Sequence, residues 1–360
     1  MIKKKLLEEY DVLIVESPLQ LLSAIEATKY FDFKRTCLIV RYADPSTRKR
    51  NNSHIDEVLR MHEFNRVIKL CHSSSRVLNH LRTYSMYLWF RMNRSNIRKL
   101  AIGEWRSEWM QRCVEIARKD SVVLLDDGII VVDILRNKIE KGLHWNVNRD
   151  QPKSVKRRIQ MLIFNLLGTK GVHDPEYHLF TAFFSETDSK TVQITPNRYD
   201  FVRTKVEDIN ADGIYYFGTK YSEAGYFPLS VELRFLEQVF STLLKLYPPP
   251  EQAHGNNSIL YIPHRDDSVQ KIDAVKEIGF DVKFLDYPAE IYFLLTKKKP
   301  KVIAGAFTTA VANVSTIYKP DAVHLFKLPI EEIAEEKRKH VVSIYEFYEE
   351  RKYQIFEGVS

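Results

Sequence analysis

The sequence contains few cysteines and glycines and lacks several common signatures. Its three cysteines, Cys37, Cys71 and Cys113, lie far apart and form no CxxC pair. We therefore expect neither a disulfide framework nor a zinc site, and a reducing cytoplasm is the simplest compartment. There is no GxGxxG pattern, no internal repeat and no low-complexity tract. No apolar run reaches the length needed to span a bilayer, so any work at a membrane would be done from its surface.

The length and the charge narrow the class of protein. A chain of 360 residues exceeds one ordinary hydrophobic core and suits two domains. The net charge of +7 favours anionic partners, which include nucleic acid, an acidic membrane surface, a nucleotide or an acidic glycan. The charge alone does not choose among these partners. Against nucleic acid, the sequence has no zinc finger and no RNA-binding aromatic motif, and its positive charge is scattered.

The first part of the chain alternates short apolar runs with amphipathic segments. The runs at 12–15, 36–40, 66–70, 99–102 and 122–125 are typical of buried parallel strands, and helices are predicted between them. The segment 44–53 is polar and predicts a loop, whereas residues 145–210 show no clear pattern. Ligands of such sheets bind beyond the carboxyl ends of the strands, where Ser17, Glu104 and the pair Asp126-Asp127 fall.

A second alternating unit begins near residue 212. It has predicted strands at 214–217, 259–263, 282–285, 302–304 and 322–325, and residues 330–352 predict a charged helix. We predict an α/β protein with a Rossmann-like first domain at 1–205, a second at 206–330 and a tail at 331–360 that returns to the first domain. Two such domains facing a central cleft describe the GT-B architecture, which is an analogy of fold and not of function.

Two motifs could carry chemistry at strand ends. Asp126-Asp127-Gly128 offers a carboxylate that could act as a base, with Gly128 allowing a turn that leaves Asp126 accessible. Because Asp-Gly is also a common turn pair, spacing alone favours a simple turn. His264 follows Ile262 and Pro263 and could act on a leaving phosphate, although a lone histidine is more often structural.

Two further features could bind a nucleotide. Thr308 and Thr309 open a helix after a strand, where free N–H groups and the helix dipole favour phosphate, and plain N-capping by a threonine is equally compatible. Glu290 begins another helix and could accept hydrogen bonds from ribose hydroxyls. A first-turn acid that stabilises the helix dipole is the simpler interpretation.

Taken together, these motifs resemble those of bacterial sialyltransferases. Asp126-Asp127-Gly128 resembles their D/E-D/E-G motif, Pro263-His264 lies where they carry His-Pro, and Thr308-Thr309 where they carry paired serines or threonines. The opening Glu16-Ser17-Pro18-Leu19-Gln20-Leu21-Leu22 resembles the first βα loop of the lipooligosaccharide sialyltransferase and polysialyltransferase groups. The likeness extends over residues 12–318. It departs from the family at Arg265, which stands where a proline is expected.

The resemblance implies an inverting, metal-independent glycosyltransferase of GT-B fold that uses CMP-sialic acid, with no other cofactor. It implies roles for matched residues: Asp126 as the base, His264 on the leaving phosphate, Thr308 and Thr309 on that phosphate, Glu290 on the ribose, and Ile262 and Pro263 near cytosine. We add Ser17 as a donor-side residue and Gln20, Asp127, Glu104 and Asn51 as acceptor-side residues.

The implied acceptor is a hydroxyl of a bacterial surface glycan, either lipooligosaccharide or capsule. The Arg265 departure leaves a second donor open, namely another CMP-activated nonulosonic acid or Kdo. A non-catalytic nucleotide-binding or nucleic-acid-binding protein is the alternative from another class, although no nucleic-acid partner is expected. The predicted location is cytoplasmic, with a hypothesis of peripheral contact to an anionic inner membrane through the basic, then apolar, segment 153–167.

Overall fold

The computed structural model describes residues 9–128, 131, 162–166, 175–183, 192–207, 209–248, 258–350 and 353–357. Within these ranges the side chains of residues 47–50 and 347 are not described. The chain divides into two compact units, Met1–Phe201 and Val202–Ser360. The described part of each unit holds one parallel β-sheet with its own helices, which confirms the prediction of two α/β domains.

The first unit is built on a seven-stranded parallel sheet of order β3-β2-β1-β4-β5-β6-β7. Its strands are β1 (Tyr10–Val15), β2 (Thr36–Arg41), β3 (Arg66–Leu70), β4 (Ile97–Ile102), β5 (Ser121–Leu124), β6 (Glu176–Thr181) and β7 (Gln193–Pro196). Its helices are α1 (Pro18–Tyr30), α2 (Pro45–Leu59), α3 (Arg76–Asn93) and α4 (Glu108–Ala117). The short helix α5 (Asp200–Arg203) lies where the two units divide.

The second unit repeats this plan in a six-stranded sheet of order β10-β9-β8-β11-β12-β13. Its strands are β8 (Asn210–Phe217), β9 (Ile259–Ile262), β10 (Asp281–Val282), β11 (Lys299–Gly305), β12 (Ala322–Phe326) and β13 (Gln354–Phe356). Its helices are α6 (Leu229–Leu246), α7 (Val269–Ile278), α8 (Ala289–Thr296), α9 (Thr309–Tyr318) and α10 (Glu335–Glu350), with a 3₁₀ turn at Ile330–Glu332.

Both sheets have the doubly wound strand order of Rossmann-like folds. The first strand of each unit, β1 or β8, pairs on one side with the next strand and on the other with a strand reached by crossing over, β4 or β11. The winding direction therefore reverses between β1 and β4, and between β8 and β11. In open α/β sheets, ligands bind outside the carboxyl ends of the strands at this reversal point.

The central strand β1 shows why the sequence folds this way. Residues 12–15 are fully buried apolar side chains, as expected for a strand covered on both faces. Ser17 then caps α1 by accepting a hydrogen bond from the Gln20 N–H at 3.2 Å, and Pro18 occupies the first turn. The chain thus turns from strand to helix directly at the carboxyl edge of the sheet.

The segment 44–53, predicted as a polar loop, is mostly helical because α2 begins at Pro45. Asp44 caps this helix by accepting a hydrogen bond from the Ser46 N–H at 2.9 Å, and Pro45 has a backbone suited to a first turn. Asn51 therefore lies on a helix and not in a loop. The polar composition of residues 44–53 does not indicate a helix, but the pair Asp44-Pro45 is a typical helix start.

The C-terminal tail lies within the second unit. Tyr345 on α10 donates a hydrogen bond to the Phe326 carbonyl at 2.9 Å, and β13 pairs in parallel with β12. The expectation that residues 331–360 return to the first domain differs from this placement. The physical reason is that β13 pairs with the open edge of β12, and a strand of only three residues gives little signal in the sequence.

Among the described residues, no helix is long and apolar enough to cross a bilayer. The basic cluster Lys153, Lys156, Arg157 and Arg158, on which the hypothesis of membrane contact was based, lies outside the described residues.

Candidate active-site residues in the two units

In the first unit, polar side chains gather at the reversal point between β1 and β4. The Gln20 side chain on α1 crosses the end of β4: its Oε1 accepts from the Glu16 N–H at 2.7 Å, and its Nε2 donates to Asp127 Oδ1 at 2.8 Å. A Cβ at Gly103 would lie 2.4 Å from Gln20 Oε1, so any larger residue would displace the Gln20 side chain. The buried Gln20 therefore ties α1 to the turn after β5.

Glu104 and Asp127 form a carboxyl pair in this cluster. Arg106 donates to Glu104 from Nη2 at 2.6 Å and from Nε at 2.9 Å, and its Nη2 lies 3.4 Å from Asp127 Oδ2. Burial, together with the hydrogen bond to Glu104 and the charge of Glu104, raises the pKa of Asp127 to about 8. Although burial alone would raise the pKa of Glu104, the hydrogen bonds from Arg106 and Asp127 lower it to about 2. The two carboxyl groups therefore share one proton near neutral pH.

Asp126 has a different environment. It is 0% exposed, and its Oδ2 accepts from the Ala182 N–H at 2.7 Å and the Tyr199 hydroxyl at 3.4 Å, with Asn197 Nδ2 at 3.5 Å. The expectation that the turn leaves the Asp126 carboxylate accessible is wrong, because the segments after β6 and β7 enclose it. Gly128 does adopt a left-handed φ of 85°, as the turn requires, but the partly exposed carboxyl group is Asp127.

A second cluster surrounds Glu16 at the ends of β1 and β2. The Glu16 carboxylate accepts from Trp109 Nε1 at 2.5 Å and lies 3.4 Å from Arg41 Nη1, while its backbone carbonyl accepts from Asn51 Nδ2 at 3.2 Å. Burial raises the pKa of Glu16, and Arg41 and Trp109 oppose this shift. Asn51 thus lies at the same sheet edge as Ser17 and Gln20. Sequence reasoning missed Arg41, although its position at the end of a predicted strand was a usable signal.

In the second unit, the loop after β9 presents His264. Burial lowers the pKa of His264 despite the opposing charges of Asp266 and Asp267, so the ring is neutral at neutral pH. Its Nδ1 accepts a hydrogen bond from the Asp266 N–H at 3.1 Å, which places the single ring proton on Nε2. A neutral imidazole with an Nε2–H is a hydrogen-bond donor.

An acidic residue holds this loop in shape. Asp267 Oδ2 accepts from the His264 N–H at 2.9 Å and from the Tyr261 hydroxyl at 3.0 Å. Its Oδ1 lies 3.0 Å from Nζ of Lys271, which is 0% exposed and also pairs with Glu232 at 2.5 Å. Neither Asp267 nor Lys271 was identified from the sequence. Their positions, three and seven residues after His264 and close to the start of a capped helix, were a usable signal.

Ile262 and Pro263 lead into the same loop. Ile262 is buried, and its carbonyl accepts from the Gly218 N–H at 2.9 Å, joining the ends of β8 and β9. A Cβ at Gly218 would lie 2.4 Å from the Tyr261 hydroxyl, so the backbone at the end of β8 packs directly on that ring. Pro263 is half-buried.

The start of α9 lies at the end of β11. Thr308 is its N-cap, and its Oγ1 accepts from the Ala310 N–H at 3.3 Å; Thr309 is the first helical residue, and both are partly exposed. A Cβ at Gly305 would lie 2.7 Å from the Val311 side chain, so glycine lets the helix begin close to the strand. The ten-residue helix therefore directs its N-terminal N–H groups towards the carboxyl edge of the sheet.

Glu290 links the two helices of this region. Its carboxylate accepts from Asn313 Nδ2 at 2.7 Å, and its backbone carbonyl accepts from the Tyr318 hydroxyl. Burial raises the pKa of Glu290, and the bond from Asn313 opposes this shift. Glu290 is 8% exposed, so its main contacts in this structure are the hydrogen bonds that join α8 to α9.

The structure thus gathers Ser17, Gln20, Glu104, Asp127 and Asn51 at one sheet edge, and it distributes Ile262, Pro263, His264, Glu290, Thr308 and Thr309 over the corresponding edge of the second sheet. Within the described ranges, no group of three or more His, Cys, Asp or Glu side chains is arranged to hold a metal ion.

Comparisons with known proteins find only distant likenesses. No protein-family model and no curated sequence matches the chain. The GT-B domain of a sialyltransferase from Photobacterium damselae aligns at 12% identity over 97% of this chain and 99% of that chain, with a TM-score of 0.46. An α/β-galactoside α-2,3-sialyltransferase from the luminous marine bacterium Photobacterium phosphoreum aligns at 10% identity over 97% and 98%, with a TM-score of 0.48. TcCGT1 in complex with UDP aligns at 11% identity over 98% and 86%, with a TM-score of 0.43. Each of these three TM-scores is below 0.5.

Proposed function

We propose that this protein is an inverting glycosyltransferase of GT-B type that transfers a sialic-acid-type sugar from a CMP donor to a hydroxyl of a bacterial surface glycan. The observation that carries the proposal is the Glu104–Asp127 carboxyl pair at the reversal point of the first sheet. Its second support is the neutral His264 and the N-terminus of α9 at the ends of the second sheet. The first unit would supply the base and the second would bind the donor.

In this proposal the general base is Asp127 and not Asp126. A carboxyl group whose pKa is raised to about 8 is a stronger base, once ionised, than an ordinary carboxylate, and its proton affinity is matched to neutral or slightly alkaline pH. As the acceptor oxygen bonds to the anomeric carbon, its proton passes to Asp127 and the bond from that carbon to the CMP phosphate breaks on the opposite face. Attack and departure on opposite faces invert the anomeric configuration.

The donor would be held by the second unit. In this proposal His264 Nε2–H donates to the phosphate as it leaves, and the N–H groups at the start of α9, with the hydroxyls of Thr308 and Thr309, bind the phosphate oxygens. Ile262 and Pro263 lie beside the cytosine, and the remaining acceptor positions of Glu290 face the ribose. These groups stabilise one leaving phosphate, so the proposal assigns no role to a metal ion.

The test is release of CMP from CMP-sialic acid, measured with and without a panel of galactosides and sialosides. We expect Asp127→Asn to lower kcat by about 10²- to 10⁴-fold, the usual contribution of a general base. His264→Ala should also lower kcat. Asp120→Asn is the matched control, because Asp120 is exposed at the opposite end of β5. Full activity of Asp127→Asn would exclude the base assignment.

The Asp126→Asn variant separates the two carboxylates. If Asp126 only holds the segments after β6 and β7, this variant loses stability and its pH profile keeps the wild-type shape. If Asp126 is the base, the variant loses kcat while the folded protein persists.

The donor itself requires a panel of CMP-sugars. CMP-Kdo and CMP-activated nonulosonic acids other than sialic acid should be turned over slowly or not at all. Preference for one of them would keep the proposed chemistry and change the sugar. Binding of CMP without turnover of any donor would favour the non-catalytic alternative.

A further inference from the structure

The helix α3 in the first unit has two apolar faces. One face, with Met86, Tyr87 and Phe90, is buried in the core under β1 and β4. Five other apolar side chains of the same helix are each at least 46% exposed: Val77, Leu78, Leu81, Leu88 and Met92. A helix at the surface of a globular protein ordinarily has a single apolar face, which packs on the core. The second, exposed apolar face of α3 therefore calls for an explanation.

The exposed apolar side chains form a stripe along one side of the helix, interrupted by Ser85. At 3.6 residues per turn, Val77, Leu88, Leu81, Met92 and Leu78 project within an arc of about 100°, opposite the buried face. The stripe runs the length of the 18-residue helix. This arrangement differs from single exposed leucines scattered over a surface, which are common.

The neighbouring helical segment at residues 162–166 extends this surface. Phe164 stacks on Tyr84 and meets Tyr87 edge-on, and Arg91 donates to the Leu166 carbonyl. Leu162 is 63% exposed and Leu166 is 75% exposed. This helical segment therefore adds two more apolar side chains to the exposed surface beside α3.

The chain segment that contains α3 carries charges of one sign. Between Glu63 and Glu104 the sequence contains no Asp or Glu and eight Lys and Arg residues. Arg82 and Arg91 are both exposed and project from α3 on opposite sides of the apolar stripe. An apolar stripe bordered by arginines is the pattern of a helix that lies in the interface of an anionic bilayer.

We propose that α3 docks the protein on an anionic lipid surface. The stripe enters the boundary between headgroups and acyl chains, and the flanking arginines contact acidic headgroups. A second copy of the chain is a poorer occupant, because it would bring two stripes, each bordered by Arg82 and Arg91, into contact. The proposal stands on α3 alone and does not depend on the proposed transferase activity.

The experiment is co-sedimentation of the full chain with vesicles of phosphatidylcholine alone or with phosphatidylglycerol. We expect binding to the anionic vesicles, weakened by high salt, and little binding to the neutral ones. Leu81→Glu combined with Met92→Glu should lower the partition coefficient at least tenfold. Arg82→Gln combined with Arg91→Gln should lower it on anionic vesicles. The control is Val269→Glu, because Val269 is 75% exposed in the second unit and should be neutral for binding.

Circular dichroism of each variant checks that it is folded. Absence of wild-type binding to anionic vesicles would overturn the proposal, and so would binding that the α3 variants leave unchanged. Light scattering tests for contact between copies of the chain. If the protein self-associates, if Leu81→Glu with Met92→Glu abolishes that association and if no vesicle binding is seen, the stripe is a contact between copies and the proposal is overturned.

Discussion

Asp126 and Asp127 are adjacent in the chain, yet their carboxyl groups occupy different environments. Both residues follow the end of β5, and their hydrogen bonds show that the two side chains project in different directions. Asp126 points inward and accepts the Ala182 N–H, whereas Asp127 points to the edge where Gln20, Glu104 and Arg106 meet it. One carboxylate thus orders the strand ends while its neighbour is available for chemistry.

The raised pKa of Asp127 predicts the pH dependence of activity. In the proposed mechanism Asp127 must be ionised to act as the base, so kcat/KM should increase as pH rises through about 8 and then level off. Glu104→Gln removes the negative charge that keeps the Asp127 proton in place, so the pKa of Asp127 falls. We expect the increase in rate to move to lower pH by about 1 to 3 units. A pH–rate profile of each variant checks this shift, and an unchanged profile would contradict it.

Gly103 predicts a coupling with Gln20. Gly103→Ala would place a Cβ 2.4 Å from Gln20 Oε1 and displace the side chain that bonds Asp127. We expect the free energy of unfolding to fall by about 1 to 3 kcal/mol, the usual cost of overpacking. Urea denaturation measures this change. In a Gln20→Ala background the same substitution should cost less, because the clashing atoms are gone, and an equal cost in both backgrounds would argue against the clash.

At the level of elements, α7 carries a buried cation whose ion pairs fix the His264 loop. Lys271→Met would leave Glu232 and Asp267 buried without their partner, so we expect a loss of about 3 to 5 kcal/mol in the free energy of unfolding. Chemical denaturation checks this value. Lys276→Met on the same helix is the matched control: Lys276 pairs with Asp273 in an exposed i,i+3 bridge, which should contribute under about 1 kcal/mol.

The strands near the centre of each sheet could be predicted from sequence because burial on both faces makes them continuous apolar runs. Residues 12–15 and 302–304 are examples, and each is followed by a helix start that marks the carboxyl edge. This is why the positions of Ser17 and Thr308 in the fold were predictable. α3 was likewise predictable from its capping serine, Ser75.

Features that depend on distant contacts could not be predicted. The burial of Asp126 comes from Ala182, Tyr199 and Asn197, which lie more than fifty residues further along the chain. The short strand β7 (Gln193–Pro196) has a polar composition, and only its neighbour β6 makes it a strand. The proton shared by Asp127 and Glu104 likewise requires two strand ends to meet.

For the whole molecule, the two units have matching strand orders but different chemical groups at their sheet edges. The first presents carboxyl groups and the second presents a neutral imidazole and a helix N-terminus. If the second unit binds the nucleotide, CMP at about 100 times its Kd should raise the free energy of unfolding of that unit by about 2.7 kcal/mol.

Hydrogen exchange measures this localisation. We expect CMP to slow exchange in the loops after β9 and β11 and to leave exchange after β1 and β4 unchanged. His264→Ala should weaken the effect. Protection confined to the first unit would reverse the assignment of donor and acceptor sides.

The central position of β1 and β8 also constrains how the protein folds. During synthesis β1 can pair early with β2, but its other neighbour, β4, appears only after β3 and α3 have been made. In the second unit, β8 likewise cannot pair with β11 until the intervening strands and helices have been synthesised. Pairings between strands so far apart in the chain form slowly, which leaves apolar strand edges open to other chains for longer. Slow synthesis at low temperature should therefore increase the yield of soluble protein.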